Sequence, residues 1–124
     1  MTKKTELSPE KLVDTIIEAL KALKAVEIVS VDLKNVSGAV CKYFVICNGT
    51  SNTHVSSLAD NVQNETLEKL KEKVWKKEGH QNAQWILLDY ANVVVHIFQK
   101  EYRDFYQLEQ LWADAKITRV PEVL

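Results

Sequence analysis

The sequence predicts a single α/β domain. Two stretches of helical periodicity alternate with two paired strand segments, a third helical stretch closes the series, and 124 residues suit one core that needs neither metal nor disulfide.

Met1 to Leu7 is polar and is expected to be a flexible N-terminus. Ser8, Pro9 and Glu10 supply a capping hydroxyl, a proline allowed in a first turn and an acid at the positive dipole end. Leu12, Val13, Ile16, Ile17, Leu20 and Leu23 recur at helical spacing, so the first helix buries one face through about Ala25. From Glu27 to Leu33 the pattern changes to alternation, with Val29, Val31 and Leu33 on one side and Ile28 on the other. Asn35 to Gly38 forms a turn cluster, and Val40 to Cys47 reads as a second strand antiparallel to the first.

Asn48 to Ser51 breaks that strand and caps a long helix from about Asn52, whose buried stripe is Val55, Leu58, Ala59, Val62, Leu67 and Leu70. Stopping this helix near Glu72 would free Val74 to Lys77 for a short edge strand, whereas periodicity alone equally allows it to run on to Glu78. Gln84 to Tyr90 and Val93 to Gln99 are strands joined at Ala91 and Asn92. Alternation places Ile86, Leu88, Tyr90, Val93, Val95 and Ile97 on an aliphatic core face, and Trp85, Leu87, Asp89, Val94, His96 and Phe98 on a mixed one. A third helix spans Glu101 to Ala115, with Phe105, Leu108, Leu111 and Trp112 on one arc. The tail, residues 117–124, carries Pro121 and is expected to be loose.

Composition narrows the function. A net charge of -1 argues against broad DNA or membrane binding by charge alone, and no apolar run approaches the roughly 18 residues of a bilayer span. Cys41 and Cys47 lie too far apart along one strand to bridge each other and read as buried free thiols, which suits a reducing cytoplasm. His54, His80 and His96 lack metal-ligand spacing, so no metal and no cofactor is expected. Cys47 with His96 is a weak candidate for a nucleophile and base, since such pairs arise by chance.

The Gly49, Thr50 and Ser51 turn is a possible anion-binding turn, with helix capping the stronger reading because the pattern of a phosphate loop is absent. Asp89 and His96 are expected to approach as a hydrogen-bonded pair, structural or facing a partner. The lysines from Lys69 to Lys77 alternate with glutamates and read as a solvated helix end. The segment from Gln84 to Trp112 is dense in aromatic side chains, more than a small core readily hides, so part of it is expected to meet a partner, which includes a second copy in a homodimer.

Three strings, YFVICNGTSNTHVSSLADNV, WILLDYANVVVHIF and YRDFYQLEQLW, resemble in order and spacing the Iojap-like proteins, or ribosomal silencing factors (RsfS), from Leu12 to about Ala115. The resemblance implies a domain at residues 8–116 with three helices and a mixed sheet of about five strands, in the order α-β-β-α-β-β-β-α. It implies a fold like that of nucleotidyltransferases without their catalytic carboxylates, since Asn52 and His54 follow the Gly49–Ser51 turn where paired aspartates would be needed. It further implies a cytoplasmic factor, not an enzyme, that binds ribosomal protein L-fourteen on the large subunit, blocks subunit joining and represses translation. The other reading is a nucleotide-binding enzyme using the Gly49–Ser51 turn.

Matched by position, the family's hallmark residues are Thr50, Ser51, His54, Asp60, Trp85, Asp89, Tyr90, His96, Arg103, Tyr106, Leu108, Glu109 and Trp112. From these, Trp85, Asp89, Tyr90, His96, Arg103, Tyr106 and Glu109 are assigned to partner binding, with Trp85 and Tyr90 as leading anchors. Their opposite parity on one strand is a difficulty for a shared contact. Lys42 departs from the family's usual aspartate, and Ala91-Asn92 from its usual Gly-Asp turn.

Overall fold

A computed structural model describes residues 8–108, 110 and 115–121. The order is α1 (Pro9–Ala22), β1 (Val26–Asp32), β2 (Tyr43–Gly49), α2 (Asn52–Leu70), β3 (Lys76–Glu78), β4 (Trp85–Asp89), β5 (Val93–Gln99), α3 (Lys100–Tyr106) and β6 (Lys116–Arg119). The sheet has six strands in the order β3-β4-β5-β2-β1-β6. Its central pair, β2 with β5, is parallel, while the neighbouring pairs are antiparallel, so the sheet is mixed as expected.

Local chemistry explains the helix boundaries. Ser8 Oγ accepts from the Lys11 amide at 3.1 Å, and Ser51 Oγ accepts from the His54 amide at 3.0 Å, so α1 and α2 begin on hydroxyl caps. α2 stops at Leu70 because Lys71 turns left-handed (φ 57°) and returns its amide to Leu67 O. That stop releases the chain for β3, which pairs Lys76 with Asp89 and Glu78 with Leu87.

The sheet separates two apolar layers. α1 and α2 cover one face, where Ile16, Leu20, Leu58, Val62, Ile86, Leu88 and Ile97 are fully buried. The other face buries Val29, Val31, Leu33, Phe44, Ile46 and Phe98 under the loop at Val36 and Ala39 and under Tyr102 and Leu108. Both faces of β4 and β5 match the alternation expected for them.

Three elements differ from expectation. β2 begins at Tyr43 rather than Val40, because Lys42 and Tyr43 both donate their amides to Asn92 O, while Val36 and Ala39 fold back onto the sheet and leave Val40 82% exposed. α3 ends at Tyr106, where Gln107 becomes left-handed (φ 46°), instead of continuing to Ala115; residues 111–114 lie outside those described. The C-terminal stretch is not a loose tail, since Lys116–Arg119 adds to β1 from Asp32 to Val29 and Val120 donates to Ile28 O. The edge of β1 would otherwise expose unpaired backbone groups, and Ile117 and Thr118 are good strand formers. The strand runs across the expected domain boundary at residue 116, while residues 1–7 lie outside those described.

The hairpin between β4 and β5 turns on Ala91 at φ 74°, with Asn92 donating to Tyr90 O and Asp89 Oδ1 accepting from the Ala91 amide at 2.7 Å. Alanine crowds its own backbone there, and glycine would not. Ala91→Gly is therefore expected to raise the unfolding free energy by about 0.5–1 kcal/mol after the greater flexibility of unfolded glycine is subtracted. A lower denaturation midpoint for this variant would contradict that assignment.

Candidate functional site

The aromatic side chains of β4, β5 and α3 meet on the second face of the sheet. Trp85 stacks on Phe98 at 4.8 Å between ring centres, and Tyr106 lies 4.8 Å from Trp85 on the other strand-to-helix side of the cluster. Cross-strand pairing accounts for the first contact, because Trp85 is directly opposite Phe98 in the antiparallel register. The second follows from the immediate turn of β5 into α3, which brings Tyr106 back over the sheet. Phe105 packs edge-on to Tyr106 at 5.1 Å.

Exposure grades across this cluster. Phe98 is fully buried and Trp85 half-buried, whereas Tyr106 is 47% and Phe105 77% exposed. A sequence of rings thus runs from the core to solvent. Phe105, expected to share one arc of a long helix with Leu108, faces solvent on a short one. It lies two residues beyond Arg103, the buried residue of α3, and two helical steps of 100° each turn it to the opposite side. The burial of Arg103 is the signal that would have identified it, and periodicity of apolar residues does not contain that signal.

His96 supports the cluster from beneath. Its Nδ1 accepts from Trp85 Nε1–H at 3.1 Å, and Phe44 meets its ring edge-on at 4.8 Å. Burial pushes its pKa down to about 4, so the ring is neutral near pH 7 and keeps the Nδ1 lone pair for the indole. The proton then sits on Nε2, which is buried and has no hydrogen-bond partner among the described residues.

The expected site residues are therefore divided. Trp85 and Tyr106 come together at the surface. Tyr90 does not join them: it is 6% exposed, lies on the opposite face beneath α2, and shares a 2.9 Å hydrogen bond with Thr66 Oγ1. Strict alternation across β4 is the reason, with no bulge to reverse it, so Tyr90 cannot act as a surface anchor beside Trp85. The Asp89–His96 pair also fails to form, because the register puts Leu87 opposite His96 and leaves Asp89 at the turn, capping Ala91. His96 is itself buried and bonds to Trp85 through its Nδ1.

Arg103 is likewise a positioning residue. It is 6% exposed, and its Nη1 donates to Glu27 O at 2.5 Å and to Asn48 Oδ1 at 2.9 Å, tying α3 to the irregular start of β1 and the end of β2. Glu109 and Trp112 lie outside the described residues.

The Gly49–Ser51 turn is built as a helix cap. The Thr50 amide donates to His54 Nδ1 at 3.0 Å, and the His54 amide is taken by Ser51. His54 Nε2–H then donates to Leu23 O at 2.8 Å, pinning the end of α1 to the start of α2. Two of the amides an anion would use are thereby occupied, which removes the basis for the anion-binding assignment. A side chain at Gly49 would also press on Val55 Cγ2 at 3.1 Å and His54 Nδ1 at 3.2 Å.

The described residues contain no group of three or more His, Cys, Asp or Glu side chains able to hold a metal. Burial pushes the Cys47 thiol up to about 12 and the Cys41 thiol up to about 11, so neither is a thiolate near neutrality. Cys47 lies under the helices, while His96 faces the other side of the sheet, so the two form no nucleophile and base pair. No described helix is long and apolar enough to cross a membrane.

This combination defines a small mixed-sheet α/β domain with an aromatic surface cluster and no carboxylate metal centre among its described residues. The family model described as ribosomal silencing factor during starvation, RsfS, matches residues 5–123, and the chain belongs to that family. It is 32% identical over 118 residues to ribosomal silencing factor RsfS of Halalkalibacterium halodurans, covering 95% of this chain and 99% of that protein. The Haemophilus influenzae RsfS is 39% identical over 102 residues, 82% of this chain and 98% of its own. Among solved structures, protein CV0518 from Chromobacterium violaceum superposes with a TM-score of 0.81 at 30% identity, covering 86% of this chain and 88% of that one.

Proposed function

We propose that this chain regulates translation by binding the large ribosomal subunit through ribosomal protein L-fourteen and occluding the joining of the small subunit. Membership of the silencing-factor family supports a ribosome-associated role. The observation that carries the surface assignment is the open aromatic cluster, in which Tyr106 packs on Trp85 and Phe105 on Tyr106 where β5 turns directly into α3. Large aromatic side chains held in place lose little conformational freedom on docking, which is why they dominate protein interfaces. Occlusion needs no turnover, so binding alone would suffice.

Co-sedimentation with purified large subunits tests the assignment, and a pull-down with isolated L-fourteen tests the direct contact. Phe105→Ala and Trp85→Ala are each expected to weaken binding about 30-fold, the loss expected when an interface anchor is truncated. Tyr90→Phe, which alters only the buried hydroxyl, should bind as the parent does. Undiminished binding by a folded Phe105→Ala, Trp85→Ala double variant would remove the cluster from the interface.

A further inference from the structure

We propose that the cleft between α2 and β3 receives an extended acidic peptide segment of a protein partner, added as a further strand along β3. The inference stands apart from the ribosomal reading, since it concerns a different edge of the molecule. Three observations carry it.

β3 is the terminal strand of the sheet, paired with β4 on one side and with no strand neighbour on the other among the described residues. Its outer backbone groups therefore offer the hydrogen-bonding ladder that strand addition requires. α2 runs beside this edge, where Lys77 Nζ donates to Gln63 Oε1 at 3.4 Å, and a cleft of about 470 Å³ lies between helix and strand. A strand docked on β3 directs every second side chain toward the helix layer, into that cleft.

The cleft is apolar where those side chains would lie. Leu67 is 50% and Trp75 71% exposed there, a costly placement for two large side chains. Lys73, Lys76 and Lys77 line it and no aspartate or glutamate among the described residues does, with Glu78 at the far end of β3, against a net charge of -1 for the whole chain. Lys76 Nζ lies 5.8 Å from the Trp75 ring centre, so cation and ring form one rim.

A second copy could pair β3 with β3 in antiparallel register, Lys76 opposite Glu78, so a dimer of the free chain that the peptide fails to dissociate would overturn the proposal. A nucleic acid would meet the same charge but could not use the backbone ladder. An acidic peptide with alternating apolar residues uses the ladder, the cleft and the lysines together.

Fluorescence anisotropy of a labelled octapeptide alternating glutamate with valine, titrated with the full chain at low salt, tests the proposal. Saturable binding is expected, with no binding of the lysine-valine counterpart and a loss of about tenfold on Lys76→Glu, Lys77→Glu double substitution. Trp75→Ser should also weaken it, whereas Phe105→Ala should leave it unchanged, which separates this edge from the aromatic cluster. Amide exchange at residues 76–78 should slow on peptide binding. Equal binding of an oligouridylate, indifference to the charge reversal, or unaltered exchange at β3 would each overturn the strand-addition proposal.

Discussion

Replacing Arg103 with alanine is expected to lower the unfolding free energy by about 3 kcal/mol, among the larger losses available to a single substitution here. The guanidinium is buried and donates to two acceptors from different strands, Glu27 O and Asn48 Oδ1. Asn48 is 2% exposed, so water cannot readily take the place of the lost donor. Glu27 itself is held at φ 53°, in a register irregularity of β1 that the arginine helps to satisfy. Truncation therefore strands polar groups and opens space at the same point. Arg103→Lys should recover only part of the loss, since one ammonium lacks the planar fork of donors.

The same substitution should carry a functional readout. α3 presents Phe105 and Tyr106, so loosening its anchor should weaken large-subunit binding even at temperatures where the domain remains folded. Urea titration followed by circular dichroism measures the stability change. A loss below about 1 kcal/mol would show that the arginine is not a principal tie between α3 and the sheet.

A second large effect is expected from acid. His96 has its pKa lowered from 6.5 to about 4 by burial, so the folded state resists its protonation while the unfolded state accepts it. As pH falls through 6.5, the unfolded chain binds a proton that the folded chain does not, and stability declines until the folded pKa near 4 is reached. Across that window the difference corresponds to about 3 kcal/mol. The direction is loss with acid, with the full contribution present above pH 6.5.

The change is expected to reach the surface. A protonated His96 loses the Nδ1 lone pair that accepts Trp85 Nε1–H, so the indole at the base of the aromatic cluster loses its fixed partner. His96→Gln keeps a possible acceptor but cannot titrate, and should flatten the stability profile between pH 6.5 and 4 relative to the parent. Parallel profiles for parent and variant over that range would refute the assignment.

Much of the architecture was legible because burial at this scale obeys simple periods. The apolar stripes of α1 as far as Leu20 and of α2 as far as Val62, the strand alternation around Ala91, and the caps at Ser8 and Ser51 are local, and the observed elements agree with them. Leu23 and Leu67, expected on the buried stripes, are instead exposed, and Thr66 is buried in the last turns of α2. The opposite parity of Trp85 and Tyr90 was also visible in advance. Its consequence is now physical: Tyr90 hydrogen-bonds Thr66 beneath α2, while Trp85 stacks toward α3.

The elements that were misplaced depend on distant partners. β6 forms because β1 has an open edge, a fact absent from the residues of the C-terminal stretch themselves. β2 starts late because the loop before it folds onto the sheet and because Lys42 and Tyr43 meet Asn92, about fifty residues away in sequence. The site divided for the same reason: Arg103 is buried against Glu27 and Asn48 on two strands, and His96 among Phe44, Trp85 and Phe98, none of them near it in the sequence except Phe98.

By itself, then, the sequence determined the α/β class, the two faces of the central hairpin and the family to which the chain belongs. The class and the two faces follow from periodicity and local capping, which act within a few residues, and the family from its resemblance in three motif strings, which the family model matches. Tertiary structure alone decided that Phe105 faces solvent, that Tyr90 lies in the core, that the last strand pairs and that the α2–β3 cleft stays open. Each depends on which surfaces meet after the chain has closed, and contact between distant segments has no period to read.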